Sequence, residues 1–97
     1  MSDVISLLEE TIVEDIYGNQ NVTTVPNEVY CEVNSVSSNE FFNAGEAGHK
    51  PAFRFDVFMG DYNGEQRVEY KGKSYYIYRT YLRGDTYELY VEERIGI

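Results

Sequence analysis

Apolar side chains alternate with polar ones over the second half of this chain. Phe53, Phe55 and Val57 alternate with Arg54 and Asp56, the pattern of a half-buried strand. Tyr87, Leu89 and Val91 alternate in the same way with Thr86, Glu88 and Glu92. Between them, residues 67–70 read as a short strand and residues 73–82 as a longer one. In the longer strand Tyr75, Ile77 and Tyr81 share one side, and Tyr76, Tyr78, Thr80 and Leu82 share the other. Neither side is polar, so the pattern predicts a central strand covered on both faces. Asn63-Gly64, Lys71-Gly72 and Gly84-Asp85 supply turn chemistry. Four strands joined by tight turns predict a meander.

The first half is less regular. Residues 4–8 and 11–16 are short apolar runs around Glu9-Glu10, compatible with one amphipathic helix or two strands. Their β-branched content, with Val4, Ile5, Ile12, Val13 and Ile16, favours strand. Residues 18–21 then form a turn. Residues 23–36 read as a longer strand, with a break or an edge position near Pro26. Val29, Cys31 and Val33 fall on one face, and Glu28, Glu32 and Asn34 on the other. Cys31 is expected to be a small core residue.

Residues 37–51 interrupt the alternation. Ser37 offers a helix cap, and Phe41 to Ala44 suit one or two helical turns. Gly45, Gly48 and Pro51 then mark a mobile or sharply turning loop. Phe41 and Phe42 are costly to leave in water, since fully burying one Phe is worth about 1.5–3 kcal/mol.

The 97 residues are expected to form one mainly β domain. The economical architecture is a small antiparallel β-barrel, or a sandwich, with one long inserted loop carrying a possible short helix. A domain of this size buries only about 60–70% of the surface its unfolded chain exposes, which leaves little room for a deep pocket. A single cysteine allows no intrachain disulfide and suits a reducing compartment. The N-terminal segment has neither a basic start nor a long apolar run, so a signal peptide or membrane span is not expected.

Net charge is −9, from 8 Lys and Arg against 17 Asp and Glu. That balance disfavours a free-standing nucleic-acid binder, because phosphate affinity comes from Lys and Arg. Ten Tyr and five Phe suit half-buried sheet faces or subunit contacts.

Catalytic constellations are sparse. His49 is the only histidine, flanked by Gly48 and Lys50, and is expected to be an exposed loop residue. With one His and one Cys, a conventional zinc site is not expected. Residues 61–65 resemble the start of a calcium loop, but the glycine falls short of the sixth position, and a hairpin turn accounts for them. The acidic pairs Glu9-Glu10, Glu14-Asp15 and Glu92-Glu93 are expected to be solvated strand edges, where charge blocks unwanted pairing. No phosphate loop or nucleophile motif is present. No cofactor and no enzymatic activity are expected.

An ordered set of segments does stand out. It runs through Ser37-Ser38-Asn39-Glu40-Phe41-Phe42-Asn43-Ala44-Gly45, Lys50-Pro51, Phe53-Arg54-Phe55-Asp56-Val57 and Asp61-Tyr62-Asn63-Gly64-Glu65. It continues with Val68-Glu69-Tyr70-Lys71-Gly72-Lys73, Tyr76-Ile77-Tyr78-Arg79-Thr80-Tyr81 and Glu88-Leu89-Tyr90-Val91-Glu92. In order and spacing this set resembles the head-closure proteins, also called head–tail joining or stopper proteins, of long-tailed bacteriophages and prophages. The resemblance implies a small β-barrel protomer that assembles as a ring below the portal and its adaptor. It implies portal or adaptor and tail-completion proteins as partners, with DNA passing through the channel without sequence-specific binding, and no membrane. It places the chain in the host bacterial cytoplasm during assembly and at the head–tail junction of the virion. By position, residues 37–51 match the family's loop that projects into the channel, making Phe41, Phe42, Gly45, Gly48, His49 and Lys50 candidate channel residues. Tyr76, Tyr78, Tyr81 and Tyr90 are candidate subunit contacts. The alternative from another class is a small OB-like barrel that binds single-stranded nucleic acid on stacking tyrosines, or binds protein.

Overall fold

The structure is a computed structural model and describes residues 2–93. Its strands are β1 (Ser2–Glu14), β2 (Gln20–Asn34), β3 (Pro51–Phe58), β4 (Arg67–Tyr70), β5 (Lys73–Arg83) and β6 (Thr86–Glu93), with one α-helix, α1 (Ser38–Glu46), between β2 and β3. The strands close into an antiparallel barrel in the order β1-β2-β3-β6-β5-β4. The barrel architecture and the short helix match the sequence pattern.

Alternation decides which side chains face inward. Ile5 and Leu7 of β1, Cys31 of β2, Phe55 and Val57 of β3, Val68 of β4 and Leu89 and Val91 of β6 form the buried core. Tyr70 and Tyr75 complete it. Phe53 packs against three of its aromatic rings: Phe55, Tyr70 and Tyr75 lie 5.6–5.8 Å away between ring centres. The Tyr70 hydroxyl reaches the barrel surface and donates to Asp3 at 2.9 Å, which spares a buried polar group. Burial, with Asp3 and Asp56 nearby, pushes the Cys31 thiol up to about 11, so it behaves as a packed apolar residue.

The strand order differs from a meander. β4, β5 and β6 do follow one another as hairpins, and Lys71-Gly72 turns the first with positive φ at both positions. β3, however, pairs with β6 and not with β4. The reason lies in the turn chemistry of residues 61–65. The Glu65 carboxylate accepts from the Asn63 backbone N–H, and the Tyr62 hydroxyl donates to the Glu65 carbonyl at 2.8 Å. The Asn63-Gly64 turn is therefore closed within its own connection and does not zip β3 to β4. Met59 N–H bonds the Asp85 carbonyl and the Tyr62 ring packs at a tilt against Tyr87, so the connection crosses the barrel end beside β6.

β5 departs from expectation too. It is covered fully only at Tyr75, and Tyr81 and Leu82 are exposed. A bulge falls between Ile77 and Arg79, with Ile77 opposite Val91 and Arg79 opposite Tyr90. The extra residue, Tyr78, shifts the alternation by one, as β-bulges do. Beyond it Thr80 and Leu82 take the interior side, opposite Leu89 and Tyr87, while Arg79 and Tyr81 face outward.

β1 and β2 form one long hairpin, including Pro26, in register from Ser2–Glu32 to Glu14–Gln20. Only its root belongs to the wall. β1 meets β4 at Ser6, Leu7 and Leu8, and β2 meets β3 from Cys31 to Asn34. Residues beyond Leu8 leave the barrel as a two-stranded arm about 20 Å long at roughly 3.4 Å per residue, giving the molecule a long dimension of 51 Å. Among the described residues, no helix is long and apolar enough to cross a membrane.

Phe55 is fully buried at the centre of the aromatic cluster. Phe55→Ala is expected to cost about 3–5 kcal/mol of unfolding free energy in urea, a large share of the roughly 5–15 kcal/mol typical of a domain. A loss under about 1 kcal/mol would place the core elsewhere.

Candidate functional site

The outer surface of β3, β6 and β5 carries an unusual concentration of buried polar groups. Glu88, Tyr90 and Glu92 sit on the outward side of β6, yet each is buried. Neighbouring strands bring long cationic side chains over them. Arg54 lies opposite Tyr90 on β3, and Arg79 lies opposite it on β5. The aliphatic stems of these side chains exclude water while their heads stay charged.

Each carboxylate in this wall has donors. Arg54 grips Asp56 through Nε and a terminal nitrogen at 3.0 and 3.1 Å, and Asn34 adds a third bond at 3.1 Å. Arg83 Nε and the Tyr90 hydroxyl each donate to Glu88 at 2.9 Å. Burial works to raise the Glu88 carboxyl, but those bonds and the charges of Arg54 and Arg83 outweigh it and hold the group below its ordinary range. The Arg79 guanidinium lies 4.0 Å from the Tyr90 ring centre and bonds Glu40.

Glu40 belongs to α1, so the same wall anchors the 37–51 segment. The helix begins where the Ser37 hydroxyl accepts from the Glu40 N–H, a cap worth about 1 kcal/mol. It ends where Gly48 adopts φ +88° and the His49 N–H bonds the Ala44 carbonyl at 2.9 Å. That left-handed stop is inexpensive for glycine, and it delivers His49 onto the wall. His49 Nδ1 lies 3.0 Å from Glu92, its ring stacks on Tyr78 at 4.6 Å, and the Lys50 N–H donates to Glu92. A nine-residue helix is marginal alone, and these contacts fasten both of its ends.

Several expectations are corrected here. His49 is half-buried and engaged, because Gly48 turns it inward. Glu92 is buried, because the His49 and Lys50 donors cover it. Tyr90 is 8% exposed and lies under Arg79, so it is unavailable as a subunit contact. Tyr78 is half-buried; its hydroxyl is a buried atom without a hydrogen-bond partner among the described residues, and burial, with Glu40 beside it, pushes it up to about 12. Tyr76 is half-buried beneath the Arg67 guanidinium. Tyr81 is exposed. Phe41 and Phe42 are exposed, edge-to-face at 6.3 Å, on the helix. Gly45 faces open space, and Lys50 is exposed.

In the sequence Glu40, Arg54, Asp56, Arg79 and Arg83 do not stand out as one site. The available signal was the alternation of Glu88, Tyr90 and Glu92 on one side of a strand, opposite arginines at the same period. Chemically the wall is a fastening: its carboxylates already accept from guanidinium, phenol and amide donors. Among the described residues, no group of three or more His, Cys, Asp and Glu side chains is placed to hold a metal ion. A separate cleft of about 610 Å³ opens at the arm root, lined by Leu8, Glu10, Glu65, Arg67 and Tyr76. Comparison with protein-family models and with curated proteins gave no match.

Glu88→Gln tests the wall. A carboxyl held low in the folded state adds stability above its unfolded pKa, and that stability is lost as pH falls through the folded pKa. The difference between wild type and variant should be full near neutral pH and shrink below the ordinary Glu range, about 4.3. A pH-independent difference in urea titrations would contradict this role for Glu88.

Proposed function

We propose that this chain is a structural head–tail connector of the head-closure class, from a tailed phage or prophage, acting without catalysis. It forms a ring below the portal, helps retain packaged DNA and receives the tail. The observation that carries this reading is a combination. A sequence that resembles head-closure proteins in the order of its segments folds as a small closed barrel. The barrel's exposed apolar groups are gathered on a projecting arm, on the facing Val4–Tyr30 pair below it, on one rim and on the helix that precedes β3.

Charge supports the same reading. An acidic ring around DNA repels the phosphate backbone and lets it slide, whereas a basic ring would hold it. Arg54, Arg79 and Arg83 are each paired with a carboxylate of the same chain. That weighs against the alternative of a single-strand binder, which needs cations beside its stacking rings. In retained-DNA terms the working segment is 37–51, with Phe41 and Phe42 presented outward by a fastened helix.

Phe41→Ser with Phe42→Ser should leave the barrel folded and reduce the fraction of particles that keep their DNA. Particle assembly and DNA retention equal to wild type would remove the two rings from the mechanism. Filter binding of single-stranded DNA at low salt should be weak; tight, salt-sensitive retention would replace the connector reading with the nucleic-acid one.

A further inference from the structure

Among the described residues no further strand pairs with the arm, although Arg67 reaches Glu10 near its root at 3.3 Å. Ile16 and Tyr17 at its tip are 91% and 82% exposed, and the facing pair Ile12 and Val22 is about two-thirds exposed. Val13 and Val25 on its other face are also exposed. A two-stranded hairpin by itself is marginal in water, and apolar side chains clustered on one free element mark an interaction surface.

Charge narrows the partner. All eight Lys and Arg lie at or after Lys50, while residues 1–49 hold nine Asp and Glu and neither cation. The whole formal charge of −9 thus resides in the half that contains the arm, and residues 50–97 balance eight cations against eight acids. Two arms laid side by side would set Glu9, Glu10 and Glu14 against their own copies, and facing like charges destabilise sheet pairs. An arm meets no such opposition from the second half of another copy.

That second half offers an apolar receptor. Phe58 at the end of β3, Met59 beyond it, and Tyr81 and Leu82 of β5 are all exposed at one barrel rim around the β5–β6 turn. Arg83, more than half exposed, stands beside them. Asp61 and Asp85 share this rim, so apolar burial leads the contact. In the closed order β1-β2-β3-β6-β5-β4, β6 is diametrically opposite β1, and β5 opposite β2. The arm leaves the barrel at the same end as this rim, and the β5–β6 part of the rim lies across the barrel from the arm root, so one copy offers its arm on one side and its rim on the other.

We propose that the β1–β2 arm of one protomer docks on the Phe58, Met59, Tyr81 and Leu82 rim of the next copy. The joint is heterologous, and repetition of a heterologous joint gives a ring when the rotation closes. It rests on the ring-forming reading above and names the surfaces that make the ring.

Cross-linking of full-length protein tests it. Cys31 is buried, so Val22→Cys and Tyr81→Cys each introduce one accessible thiol on an exposed site. The two variants, one carrying a mass tag, are mixed and oxidised gently. Mixed dimers several-fold above their random share are expected, and Ile12→Asp in the arm variant should return them to that share. A random distribution, or a predominance of arm–arm dimers, would overturn the joint. A second arm separates this from the connector reading. Full-length Ile12→Asp with Val22→Asp should fail to join the head vertex. If it still joins, the joint is wrong and the connector reading stands. If mixed dimers predominate but wild-type chain never associates with heads, the joint stands and the connector reading fails.

Discussion

Closure of the barrel depends on three residue pairs between β1 and β4, from Ser6–Glu69 to Leu8–Arg67. β1 has 13 residues and β4 has four. That mismatch shapes the molecule. Where β4 starts, at Arg67, its Val68 still faces the core beside Leu7, and both are completely buried. Past Leu8 there is no more β4 to pair with, and β1 continues with β2 alone. One strand is thus barrel wall at its beginning and exposed arm at its end. A fully closed barrel has no sheet edge to extend; here the long unpaired edges among the described strands belong to the arm and to β5 beyond Tyr76.

The outer wall depends on a second local irregularity. Without the bulge at Tyr78, Arg79 would face inward at its place in β5. With it, Arg79 lies over Tyr90 and reaches Glu40 of α1. The bulge therefore couples the barrel to the 37–51 segment, and Gly48 completes the coupling by turning His49 onto Glu92. The large apolar groups left outward on that segment are Phe41 and Phe42, a small surface on a fastened helix. Stability and presentation come from the same contacts.

Period-two alternation made most strands legible, because a half-buried strand must place every second side chain in the core. Cys31, Phe55 and Leu89 are readable in that way, whereas Ile5 is readable as strand only from the β-branched content around it. Strand order was not, since Asn63-Gly64 has hairpin chemistry whether or not its flanking strands are neighbours. The bulge was hidden because both sides of β5 are apolar or aromatic, so a shift by one leaves the pattern unchanged. The partners of His49 and Lys50 lie more than 40 residues away at Glu92, beyond any local signal. Ile12, Val13 and Val22 look like core residues in sequence, because β-branched alternation is the same for a covered strand and for one awaiting a partner.

The central claim is that the barrel is a scaffold for assembly at a head–tail junction. The most direct measurement is immunogold electron microscopy, with antibody to this chain, on particles released by the bacterium that carries its gene. The account predicts label confined to the junction between head and tail, in DNA-filled particles. Label that stays with soluble cell protein and is missing from every particle would contradict it.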